Sequence, residues 1–134
     1  MAIANIKVTL GQDIETVWKI VTSLEDWSWR SDLGRIEVLE NGRRFVEYTG
    51  DGYATNFTIT AFEPLCRYEF DMENGNMKGH WTGVFSEEGG QTSIDFTEDI
   101  TAKKWFMKPF VGSYLKKQQQ TYVRDLRAAL EDNK

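Results

Sequence analysis

Few residues in this chain have a type and spacing suited to chemistry, and Glu98 comes first. It is in phase with Ile94, Phe96 and Ile100 where apolar and polar residues alternate, so an inward orientation would desolvate its carboxyl and raise its pKa. A general acid or base can be made that way. The plainer expectation is a strand end reaching water. The single histidine, His80, alternates with Trp81 and belongs on the opposite face, with no Ser, Cys or paired acid spaced to form a dyad. A surface histidine is expected. Cys66 follows Pro64 in a turn and reads as a small filler rather than a nucleophile. The pairs Glu25 with Asp26 and Glu87 with Glu88 read as solvated loops. One cysteine and one histidine fall short of a zinc ligand set, so neither a metal nor a cofactor is expected.

Other residues are suited to holding a molecule rather than transforming it. Gln118 is the odd member of an otherwise apolar helical stripe, and a buried amide needs hydrogen-bond partners that a ligand can supply. The alternative is a place at the helix edge. Tyr114 and Tyr122 lie one turn to either side, each pairing a hydroxyl with an apolar ring. Trp81 lies between Gly79 and Gly83 on one face, a large ring flanked by two positions without side chains, as where a bulky group needs space. Lys103, Lys104 and Lys108 surround Trp105, Phe106 and Phe110, a mixture that can touch anionic lipid and that reads first as the basic edge of a cavity rim.

These residues must be positioned by a small frame. With 134 residues, and roughly 100–200 per domain, one domain over residues 1–134 is expected. Hydrophobic residues at 40% and charged residues at 28% are near the globular average, which excludes a disordered tail. The longest uncharged apolar runs are far below the ~18 residues that cross a bilayer, so no stable membrane insertion is expected. No secretory signal is legible, which makes a cytoplasmic location the default. The 16 basic against 21 acidic residues leave a net charge of -5, unfavourable for phosphate backbones, so nucleic acid is not an expected partner. Aromatic residues at 13% supply bulky flat surface for a dense core or a lined cavity.

Periodicity supplies the elements. Ile3 to Thr9 reads as a first strand, imperfect in its alternation at Ile3 and ended by Gly11. Asp13 caps a helix with Ile14, Val17, Trp18 and Val21 on one side, and a second short helical piece runs from about Leu24 to Leu33. From Arg35, five turn signals separate six strands: Asn41-Gly42, Gly50-Asp51-Gly52, Glu63-Pro64, Asn74-Gly75 and Gly89-Gly90. Asn41-Gly42 suits a tight type I′ hairpin, and the short connections demand antiparallel pairing. Tyr68, Phe70 and Met72 share one face; Phe57 and Ile59 compete with Phe62 unless a bulge separates them. A helical pattern then runs from about Met107 to about Glu131, with Pro109 in its first turn. The fold class is α+β: a curved antiparallel seven-stranded sheet wrapped around a long C-terminal helix, with two short helices between the first and second strands.

That order resembles the helix-grip fold of the START-like SRPBCC superfamily, in its polyketide cyclase/dehydrase and lipid-transport branch. The resemblance is carried by Val17-Trp18 with Leu24 and Trp27, by Ile59 to Pro64 running into Tyr68, and by Gly79 to Phe85 with Gly89 to Thr92. Tyr114-Leu115 and Leu126 to Leu130 close it. It implies a hydrophobic cavity between sheet and helix that holds a lipid-like, polyketide-like or similar apolar ligand. The implied lining comprises Tyr68, Phe70, Trp81 and Phe96 from the sheet, with Phe110, Tyr114, Gln118 and Tyr122 from the helix. The superfamily also contains cyclases or dehydratases, for which Glu98 is the available catalytic candidate, and co-chaperone-like interaction modules with an exposed apolar patch and a filled interior. Whether the chain is an enzyme stays open, as do ligand identity and oligomeric state.

Overall fold

The computed structural model describes residues 2–132. β1 (Ala2–Leu10) turns its even-numbered residues inward and leaves Ile3 exposed, which accounts for the broken alternation there. α1 (Ile14–Thr22) starts at Asp13, whose carboxylate accepts from the backbone N–H and the hydroxyl of Thr16 at 3.2 and 2.7 Å. Its apolar side buries Val17 and Trp18, with the Trp18 ring edge-on to Phe85 at 4.8 Å. Residues 24–33 pass through successive turns instead of a second regular helix. They hold one turn bond, from Arg30 N–H to Trp27 C=O at 3.0 Å, and Asp125 fastens them by accepting from the N–H and hydroxyl of Ser31.

The six strands of the meander follow as β2 (Arg35–Leu39), β3 (Arg44–Tyr48), β4 (Ala54–Glu63), β5 (Arg67–Glu73), β6 (Met77–Glu88) and β7 (Gln91–Ala102). All neighbours pair antiparallel, and β1 closes the order β1-β7-β6-β5-β4-β3-β2 by returning to β7. Gly89 and Gly90 make the two-residue turn between paired Glu88 and Gln91, both at positive φ as a type I′ turn requires. Asn41-Gly42 behaves differently from expectation. Leu39 pairs with Arg44, so four residues form the loop, and Glu40, Asn41 and Gly42 all take positive φ. In β4 the register skips between Ile59 and Ala61. That bulge resolves the competition between faces: Phe57 and Ile59 before it and Phe62 after it all pair with inward-facing partners of β5.

A 3-10 turn over Trp105–Met107 leads into α2 (Lys108–Asp132), which has Pro109 in its first turn. The helix lies over the inner face of the sheet against β1 and β7, and Leu115, Val123, Leu126 and Leu130 are buried there. This is the helix-grip arrangement. No helix among the described residues is long and apolar enough to cross a membrane.

Candidate functional site

Sheet, α2 and the 24–33 segment enclose a cavity of about 680 Å³, within the roughly 300–1,000 Å³ usual for small-molecule sites. Strand alternation makes its aromatic wall. Phe70 and Trp81, cross-strand partners, stack with centroids 4.9 Å apart and planes 5° apart. Phe45 and Phe57 stack likewise at 4.8 Å, and Tyr68 meets Phe70 and Trp81 edge-on. The wall is therefore built from ring-to-ring contacts of the protein alone. The Trp81 indole also occupies the space above Gly83, so this glycine makes room for a ring of the protein itself rather than for a ligand. Gly79 is filled in the same sense, by Ile100 and the backbone of Asp99 on β7.

One region of the cavity is polar. Arg30 donates from Nε and Nη2 to Asp32 at 3.1 and 2.8 Å, and from Nη1 and Nη2 to Glu47 at 2.9 and 3.4 Å. Its guanidinium also lies over the Tyr122 ring, 5.2 Å from the centroid. Burial works against the Arg30 charge, but Glu47 and Asp32 outweigh it and hold the pKa still higher than usual. Burial raises the Glu47 carboxyl even though Arg30 opposes the shift. Glu98 is only 8% exposed, lines the same cavity, and has no hydrogen bond or ion pair among the described residues. Burial pushes its pKa up to about 7, against Arg30 and with Glu47. A strand end reaching water is thus the wrong description. Burial also raises the Tyr68, Tyr114 and Tyr122 hydroxyls, which leaves them neutral donors. The Trp29 Nε1–H is buried in the lining without an acceptor, a state that costs about 1–3 kcal/mol.

Tyr68, Phe70, Trp81 and Phe96 line the cavity from the sheet, and Phe110, Tyr114, Gln118 and Tyr122 line it from α2. The depths differ: Tyr68, Trp81 and Phe96 are buried, while Phe110 is 71% exposed and joins Tyr114 at the rim. Gln118 is half-buried, and the amide that the core holds is its neighbour Gln119, which donates to the Ala4 carbonyl at 3.1 Å. Trp105 and Phe106 are exposed at the helix start. His80 is on the outer face, bridging Asp71 and Glu69 at 2.7 Å each; burial opposes its protonation, but these two bonds prevail and raise its pKa. Cys66 is exposed in its turn and fills nothing. The Arg30, Asp32 and Glu47 cluster was not expected from the sequence. The signal for it, a charged pair Arg30-x-Asp32 directly after two tryptophans, lies in a segment without periodicity. The filled interior that would have favoured the interaction-module expectation is not found, since the cavity is open.

Comparison with known proteins gives a consistent result. The family described as polyketide cyclase / dehydrase and lipid transport matches residues 1–131. Among solved structures, a START superfamily protein from Mycobacterium smegmatis superposes with a TM-score of 0.89 at 14% identity, covering 100% of both chains. A protein from Geobacillus kaustophilus gives 0.82 at 12% identity over 97% of this chain and 95% of its own. DynU16, from the dynemicin biosynthetic locus, gives 0.78 at 17% identity over 100% of this chain and 49% of its own. No curated protein matches the chain in sequence.

Proposed function

Because the chain belongs to the polyketide cyclase/dehydrase and lipid-transport family, we propose that it binds a small, largely apolar molecule between the sheet and α2. The observation that carries this reading is the cavity itself: about 680 Å³ remains after the aromatic wall has packed. Burial of apolar area at roughly 25 cal/mol per Å² supplies the affinity, and the polar region orients the guest. Native mass spectrometry of the purified protein, with organic extraction of whatever accompanies it, tests the reading. A stoichiometric adduct lost on replacing Val111 by Trp, which fills the cavity from α2, supports it. An adduct unaffected by Val111→Trp refutes the location.

A second reading, cyclase- or dehydratase-type catalysis, is favoured by one feature. Among the described residues Glu98 is a carboxyl without a hydrogen bond or ion pair, with a pKa near neutrality, the condition in which a side chain both gives and takes protons. Under this reading Glu98→Gln retains binding and abolishes turnover. Unchanged turnover removes Glu98 from the chemistry.

A further inference from the structure

The charges lining the cavity are unequal. Arg30 is the only cation, against the four carboxyls of Asp32, Glu47, Asp51 and Glu98, and among the described residues no lysine or histidine contributes. Nor is Arg30 free. A guanidinium presents five N–H groups in a fixed fork, and Asp32 and Glu47 take four of them while Tyr122 covers its face. An anionic guest would have to displace the half-exposed Asp32 or the buried Glu47 from a bidentate pairing with Arg30, or lie uncompensated among like charges, and each route carries a cost. Glu98 is in the opposite situation, a buried acceptor that lines the cavity with no hydrogen-bond donor among the described residues.

We propose that the cavity selects its guest by charge: it takes an apolar, ring-compatible molecule whose polar end is a hydrogen-bond donor, a protonated amine or a hydroxyl received by Glu98. It rejects carboxylate- or phosphate-ended amphiphiles of the same shape. This rests on the cavity-binding reading above and narrows the ligand class within it. The charged and titratable groups that interact with Glu98 are Arg30 of the 24–33 segment, Glu47 of β3, and Tyr114 and Tyr122 of α2, with Asp32 acting on both tyrosines. The tyrosines stay neutral and Arg30 is already paired, so the ionised carboxylate has no cation of the protein to itself. A bound ammonium would supply one and lower the Glu98 pKa in the complex.

Three probes that share one ring system separate the outcomes: naphthylmethylamine, naphthylmethanol and naphthylacetate, titrated calorimetrically into the wild-type protein at about pH 8, where Glu98 is mostly ionised. The amine should bind most tightly and the alcohol next, with the acid at least about tenfold weaker than the alcohol. In Glu98→Gln the amine should lose its advantage over the alcohol, with an unchanged circular-dichroism spectrum reporting an intact fold. If the acid binds as tightly as the alcohol, charge selection is overturned while cavity binding stands. If none of the three binds the wild type, cavity binding falls and charge selection with it. An advantage of the amine over the alcohol that survives Glu98→Gln overturns the role of Glu98.

Discussion

The Trp81 ring takes the volume that a side-chain carbon at Gly83, two residues along β6, would need. Phe70 stacks on the same indole at 4.9 Å and Phe96 meets it at 4.8 Å, so the ring has no room to retreat. Gly83→Ala will therefore destabilise the protein by about 1–3 kcal/mol through overpacking. The check is a lower urea midpoint at an unchanged slope; a wild-type midpoint would contradict the packing.

The unpaired acid makes stability depend on pH with a defined sign. Burial holds the folded-state Glu98 pKa at about 7, whereas an unfolded glutamate titrates near ~4.3. Between those values the folded protein keeps a proton that the unfolded chain has lost. Stability contributed by the protonated form is complete at the acid end, falls as pH rises, and levels off above about 7. The full fall is on the order of 4 kcal/mol. Asp125 and Glu69 are held low and slope the other way at acid pH. The measurement is thus the difference between wild type and Glu98→Gln, which should shift in favour of the variant across this window; a constant difference would be inconsistent with a buried, titrating Glu98.

Glu47 depends on Arg30, since its side chain is 14% exposed and burial already disfavours its charge. Arg30→Met should cost about 3 kcal/mol by stranding that carboxylate. The double variant Arg30→Met with Glu47→Leu should return to within about 1 kcal/mol of wild type. Equal losses in the single and double variants, measured by chemical denaturation, would show that the pair does not act as a unit.

Adjacent glutamines on α2 should respond in opposite ways. Gln119→Ala removes the bond to Ala4 and should lower stability by about 1–2 kcal/mol. Gln118→Ala should change stability by less than about 0.5 kcal/mol while altering the relative affinities of cavity probes. A destabilised Gln118→Ala with an unchanged probe ranking would exclude an orienting role.

These contrasts mark how far the sequence could be read. Strand alternation placed Tyr68, Phe70, Met72 and Phe96 inward, and the same phase applied to Glu98, whose neighbours Phe96 and Ile100 bury it. Its inward position was legible as geometry; its lack of a partner was not, because that depends on how every nearby donor is used. The C-terminal helix was legible within a residue at each end. Three consecutive glutamines, Gln118 to Gln120, defeat a stripe argument, since one step of about 100° decides which amide is inside. The Arg30 cluster comes from a segment of turns, held by Ser31 to Asp125, which carries no period. Trp81 and Gly83 were correctly placed on one face, but a rotamer, not a spacing, decides that the ring folds back along its own strand.

Contacts along α2 are graded. Phe110 and Tyr114 are largely exposed at the cavity rim near its start, Leu115 is the first fully covered residue, and the last turns bury Leu126, Ala129 and Leu130 while Asp125 grips Ser31. Amide exchange should accordingly be fast over the first two turns and slow over the last three, a hinge fixed at one extremity. A guest would then come and go beneath the loose extremity, with the strands below staying paired throughout.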